Sequence, residues 1–415
     1  MQTLKYQITE LANGIRVITE TVSHIQFMSM GVWVGVGSRY EEPQENGITH
    51  FIEHMLFKGT ERRTAEDIST AVDAVGGQIN AFTSKETTCY YIKTLIEDFP
   101  LAVDILSDML LHSKLDEEEL RKEREVIIEE IKMYEDAADE YVQELLSAHM
   151  WQEHSLGRSI LGTEETLATF THDTLADYMQ RHYTGKNMVI SVVGNLTHEE
   201  VVAAVQKYFG EVPAGEKNQY AVAPIMGNGE FCHQKDIGQC QICFATKGVA
   251  KSDPAIYPMS ILNTYLGGGM SSRLVKTIRE ELGLAYSVYS YHGAYLDAGA
   301  FVVNAGTRPE NCQQVIDLIR EEIEKVAKEG ISEEALAKTF QQLKGNMFMS
   351  LETVNSRMNK LGRGLLLYDR IITPEEDVEK LSKVTVQDVQ QIAQQMFKED
   401  NYLLTVLGPV EDVHF

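Results

Sequence analysis

The chain has 415 residues, too many for one ordinary hydrophobic core, so two or more domains are expected. Its 37 basic and 62 acidic residues leave a net charge of −25, which disfavours nucleic acid and anionic membranes and favours positively charged ligands such as basic peptides. Five cysteines, odd in number and thinly spread, do not make a disulfide framework, and no uninterrupted apolar run is long enough to span a bilayer. The first six residues show no basic segment followed by an apolar run, so a cytoplasmic, reduced protein is expected.

The first predicted elements are two short strands within 6–18, joined at Asn13-Gly14, a strong hairpin signal. Residues 28–37 alternate as a strand should. Their glycines at 31, 35 and 37 do not form G-x-G-x-x-G, and a polar loop intervenes before the next helix, which argues against a dinucleotide site. Thr49 then stands as the expected N-cap of a helix that Gly59 ends. On that helix His50 and His54 are four apart and project from one face, where they can grip one metal ion. Glu53, three after His50, lies on nearly the same face and is placed to take a proton from water at the metal. The pattern His50-x-x-Glu53-His54 is the inverted form of the H-E-x-x-H zinc-protease helix. Two surface histidines beside an unrelated glutamate is the weaker reading, because only 12 residues are His.

Beyond the motif, helices are predicted over 64–75, 99–112 and 116–134, then on to Trp151, with two β-like runs around a polar turn within 76–92. Further helices cover roughly 164–182, and 187–194 reads as a buried strand. Residues 211–230 lose periodicity and gain Pro, Gly and Asn, the composition of a linker between halves at 1–210 and 231–415. Past it the order of elements repeats. The strand beginning at Asn401 echoes the one beginning at Asn187, and Ile331-Ser332-Glu333-Glu334-Ala335-Leu336 echoes Leu115-Asp116-Glu117-Glu118-Glu119-Leu120 at nearly the same offset. Two ordered echoes indicate an internal duplication. Each half mixes hairpin-like strands with long helices, so the class is α+β. Carried into the second half, the motif falls near Ser260–Thr264, which has no histidine, so only the first half can hold this metal. Cys240 and Cys243 form a C-x-x-C within a predicted strand, where residues three apart face opposite sides and make poor co-ligands.

A catalytic zinc site needs a third protein ligand, which must come from another element. The long predicted helix carries Val126, Ile127 and Ile131 as an expected buried stripe flanked by acids. Glu123 and Glu130 are seven apart and share a face, yet any of Glu123, Glu129 and Glu130 is a possible ligand on these grounds.

His50-x-x-Glu53-His54 followed by Glu130, together with the run Glu123-Arg124-Glu125-Val126-Ile127-Ile128-Glu129-Glu130, resembles the zinc site of the pitrilysin/insulinase family. The pattern resembles the mitochondrial processing peptidase β-subunit and its short bacterial homologues, and the resemblance covers the whole chain. It implies two duplicated α/β-roll halves of a clamshell-type metallopeptidase. It implies His50, His54 and Glu130 as ligands of one zinc ion per chain, Glu53 as general base, and Glu123 as an acid behind the ligands. Asn80-Ala81-Phe82 match the edge strand on which the family's substrates lie extended. Arg279 and Tyr286 match its Arg/Tyr segment. Gly267-Gly268-Gly269 match the place of the processing peptidase's glycine-rich loop, though much shorter. The implied activity is zinc-dependent endoproteolysis of unfolded peptides or short proteins in an enclosed chamber, the alternative being a non-catalytic peptide-binding or scaffolding member. The family's long members carry four such halves with the Arg/Tyr segment in the fourth. This chain has it in the second, so a homodimer with shared active sites is expected.

Overall fold

Alternating apolar residues build the first sheet. β1 (Tyr6–Glu10) and β2 (Arg16–Thr21) form an antiparallel hairpin, with Gly14 in its turn at φ +87°. β3 (Phe27–Val34), β4 (Gln78–Thr83), β5 (Thr88–Leu95) and β6 (Met188–Gly194) complete six strands in the order β1-β2-β6-β3-β5-β4. The sheet is mixed because β2 runs parallel to β6, and among the described residues β4 forms an edge, paired only with β5. The structure is a computed structural model and describes residues 5–218, 223–398 and 401–415. Most of the amino-terminal segment read above and the middle of the 211–230 stretch lie outside the described residues.

Period-two alternation sends the side chains of β3 to opposite faces. Met28, Met30, Val32 and Val34 join a core with Ile48, Phe51 and Ile52 of α1 (Ile48–Met55). α2 (Ala65–Asp73) and α3 (Phe99–His112) add Ile68, Val72, Ala102 and Leu106 to that core. α4 (Glu117–Asp136) contributes Leu120 and Ile127. Trp33 points the other way, where Val354, Met358, Leu361 and Leu365 of the helix Val354–Tyr368 pack on it. This helix lies against bare backbone. A Cβ on Gly31 would sit 2.3 Å from Met358 Sδ, and one on Gly362 would sit 2.2 Å from Trp33 Nε1. Gly31 therefore serves helix–sheet packing.

The second sheet has five strands, β7 (Gly229–Gln234), β8 (Cys240–Lys247), β9 (Ala285–Ala294), β10 (Gly299–Thr307) and β11 (Tyr402–Gly408), in the order β7-β11-β8-β10-β9. β11 stands to β7 and β8 as β6 stands to β2 and β3, parallel to the first and antiparallel to the second. That correspondence is the duplication seen in the sequence, and the class is α+β. Cys240 and Cys243 of β8 enter different core clusters on the two faces, and all five cysteines are free.

Each sheet belongs to one half of the chain, but the compact units exchange segments. Unit 1 gathers the described residues of Met1–Ile131, Ser159–Ala221 and Phe348–Pro374; unit 2 gathers those of Lys132–Arg158, Val222–Met347 and Glu375–Phe415. α5 (Ala138–Met150), from the first half, buries Val142, Leu146 and Met150 against Cys243, Val302 and Leu403 of the second sheet. The helix Val354–Tyr368, from the second half, covers the first sheet in return. Each compact unit thus draws segments from both sides of the 211–230 stretch. Among the described residues no helix is long and apolar enough to cross a membrane.

Candidate metal centre

α1 is positioned by its own apolar face and by an external carboxylate. Ile48, Phe51, Ile52 and Met55 are buried, which turns His50 and His54 to the opposite side. Thr49 is not the N-cap. Gly47 holds that position in the left-handed region at φ +94°, and the Glu41 carboxylate accepts the N–H groups of Gly47 (2.9 Å) and Thr49 (3.0 Å). A buried acid from the preceding loop thus does what a capping side chain would do. The Thr49 hydroxyl bonds Tyr178 Oη instead, at 2.9 Å. Nor does Gly59 end the helix, whose last residue is Met55.

α4 supplies the other half of the site. Its buried face is Leu120, Glu123 and Ile127, with Ile131 packed at the margin of the core. Val126, expected in the stripe, is 48% exposed, because one residue turns the helix about 100° away from Ile127. Arg124 fastens the helix by donating to the carbonyls of Leu167 and Phe170, both at 2.9 Å.

This rotation separates the three candidate glutamates. Glu130 meets the histidines, its Oε2 lying 3.9 Å from His50 Nε2 and 3.7 Å from His54 Nε2. One ligand atom from each of the three residues falls within 4.8 Å of the others, the one such group among the described residues. Glu123 lies behind, with Oε2 3.0 Å from His54 Nδ1 and Oε1 2.6 Å from Lys58 Nζ. Glu129 is exposed.

The donor set fits zinc. Four-coordinate zinc with bonds near 2.0–2.1 Å places neighbouring ligand atoms roughly 3.3 Å apart, somewhat less than the 3.9 and 3.7 Å that separate Glu130 Oε2 from the two imidazoles. Burial, reinforced by His54, pushes the His50 imidazole down to about 3, which leaves it neutral with a lone pair to give. Its Nδ1 is buried with no hydrogen-bond partner among the described residues. Burial also raises the Glu130 carboxyl. At Glu123 burial works against the charge, but hydrogen bonds with His54 and Lys58 prevail and hold the carboxyl below its ordinary range. A charged Glu123 on Nδ1 of His54 leaves Nε2 free to face Glu130.

Glu53 stands beside this group, raised by burial against the opposing influence of Thr83 and His54. Thr83, absent from the sequence reading, donates to Glu53 Oε2 at 2.5 Å. Its one sequence signal is its place directly after Asn80-Ala81-Phe82. Those three residues lie on the edge strand β4, with Asn80 exposed and Phe82 edge-on to Trp33 at 5.5 Å. Glu41 and Lys58 carry no sequence signal of their roles, since nothing local marks a carboxylate or ammonium outside the helix as its partner.

Arg279 and Tyr286 come together in unit 2. Arg279 lies in the π-helical turn Val275–Glu281, and its guanidinium sits 5.7 Å from the centre of the Tyr286 ring. Tyr286, near the start of the edge strand β9, is 84% exposed. Gly267 ends the helix Ile256–Gly267 and abuts Ser290, where a Cβ would come 2.4 Å from the backbone nitrogen.

The fold is that of M16 peptidase domains. A Pseudomonas fluorescens structure described as a peptidase M16 inactive domain is similar with a TM-score of 0.91, at 18% identity over 99% of each chain. A protease from Helicobacter pylori gives 0.90, at 22% identity over 98% of this chain and all of that one (100%). The chain itself belongs to the insulinase family, peptidase family M16: that family model matches residues 16–164, and the model described as the peptidase M16 inactive domain matches 169–343. A Bacillus subtilis relative named as an uncharacterized zinc protease is 43% identical over 96% of this chain and 97% of its own length. Proteins with similar names from Streptomyces coelicolor and Rickettsia bellii are 38% and 34% identical, each over 97% of this chain and over 90% and 98% of their own lengths.

Proposed function

We propose that this chain is a zinc-dependent endopeptidase acting on unfolded peptides or short proteins held in extended form. The observation that carries the reading is the convergence of His50, His54 and Glu130 from two helices, with Glu53 beside them. When bound, zinc supplies Lewis acidity, polarising the scissile carbonyl and acidifying water to near neutral pH. His50, His54 and Glu130 hold it, and Glu123 fixes the His54 ring through Nδ1. Glu53 accepts the proton of the attacking water and passes it to the leaving amine; burial makes this carboxylate a stronger base than an exposed one. The free edge of β4 at Asn80-Ala81-Phe82 offers main-chain hydrogen bonds to an extended peptide, with little demand on its sequence. Arg279 and Tyr286 are donors for the oxyanion or the peptide backbone, and the net charge of −25 favours basic peptides. The presence of the motif in the first half alone supports one metal per chain.

The test is hydrolysis of an internally quenched basic peptide by the purified chain, with and without chelator. Cleavage that a chelator abolishes and zinc restores supports the reading. Peptide binding without cleavage would favour the non-catalytic alternative.

A further inference from the structure

The Glu53 carboxylate is gripped by a residue outside its own helix. Thr83, the last residue of β4, donates its hydroxyl to Oε2 of Glu53 at 2.5 Å. The strand end that carries Thr83 is itself clamped. Ser38 and Arg39 donate their backbone N–H groups to the carbonyls of Ser84 (3.3 Å) and Lys85 (2.8 Å). The Arg39–Glu86 ion pair, 2.9 Å long, is buried beneath the same turn. A Cβ on Gly37 would fall 2.1 Å from the Ser84 carbonyl oxygen, so the two backbones touch directly. A hydroxyl on so firm a support fixes the carboxylate oxygen it holds, and with it the direction of the whole carboxylate. Thr83 also continues the strand of Asn80-Ala81-Phe82, so the grip on Glu53 and the free strand edge are parts of one element.

We propose that Thr83 is a positioning residue that orients the Glu53 carboxylate and couples its orientation to the edge strand along which the peptide lies. The assignment rests on the endopeptidase reading above. Thr83→Val removes the hydroxyl from a strand position where Val is well tolerated, and Thr83→Ser keeps it. The valine variant is expected to lose about 10- to 100-fold in kcat with KM within about twofold, while serine recovers most of the loss. Zinc affinity in a chelator competition should be the same in all three proteins, because the Thr83 hydroxyl bonds Glu53 and not a proposed ligand.

A second readout needs neither metal nor turnover. In metal-free protein at mildly alkaline pH, the infrared difference between wild type and Glu53→Gln isolates the carboxylate stretch of Glu53. That band should shift in Thr83→Val and return in Thr83→Ser. An unshifted band, an undiminished kcat, loss of zinc in the valine variant, or a serine variant as impaired as valine would each overturn the proposal. If wild type shows no chelator-sensitive cleavage, the endopeptidase reading falls instead, while the infrared bands still report whether Thr83 holds Glu53.

Discussion

At the scale of single residues, the proposed function assigns His50, His54 and Glu130 as ligands and Glu53 as base, and the division is measurable. Glu53→Gln keeps the shape of the side chain but cannot accept a proton, so turnover should fall by at least about 100-fold with metal still bound. His54→Ala leaves two protein ligands and should lose the metal as well. Metal content of the two purified variants decides between these roles, and equal loss in both would refute them. Among the glutamates, Glu130→Gln should weaken zinc far more than Glu129→Gln. Glu123→Gln should weaken it by about 10- to 100-fold through the freed His54 ring. A chelator competition orders the three.

His292 offers a residue-scale prediction about stability. Burial, then the charge of Lys251, lowers this imidazole from 6.5 to about 4. Its Nε2 accepts the Val249 N–H at 3.1 Å, a bond only the neutral ring can make. The folded pKa lies below the unfolded one, so between these values the unfolded chain takes up a proton that the folded chain refuses. Stability should therefore fall as pH drops from 6.5 towards about 4 and level off below it, by on the order of 3 kcal/mol at most. His292→Gln should flatten that part of the profile in urea unfolding followed at several pH values.

Elements are held by close backbone approach as much as by apolar stripes. The helix Val354–Tyr368 can lie on the first sheet because Gly362 and Gly31 present no side chains to Trp33 and Met358. Gly362→Ala would put a methyl 2.2 Å from the buried indole nitrogen, which must move within a packed core. The expected cost is about 1–3 kcal/mol, read as a lower urea midpoint. A variant as stable as wild type would mean that the helix rides higher on the sheet than described. The same logic explains α1, whose first turn is fixed by Glu41 and not by a local cap.

At the scale of the whole molecule, the metal group and the Arg279–Tyr286 pair belong to different units of the chain. We propose that two copies complete one another, each giving Arg279 and Tyr286 to the other's metal site. Mixing an inactive Glu53→Gln chain with an inactive Tyr286→Phe chain tests that arrangement. Hybrid dimers would contain one intact site, so subunit exchange should restore activity to roughly a quarter of wild type. A mixture as inactive as its parents would exclude shared sites.

Sequence by itself determined whatever depends on neighbours along the chain. Four-residue spacing puts His50 and His54 on one helix face in any context, alternation marks the strands, and the repeat at 187 and 401 announces two related sheets. Tertiary structure alone decided what depends on rotation and on distant partners. Periodicity placed Val126 in the buried stripe, but packing against the core turned α4 so that Glu123 and Ile127 face inward and Glu130 reaches the histidines. Thr49 carries a capping side chain, yet Glu41 won the helix N-terminus because its carboxylate is buried against two open N–H groups. The exchange of α5 for the helix Val354–Tyr368 was invisible for the same reason. An amphipathic stripe says that a helix will bury one face, and only the shapes of the available sheets say against which.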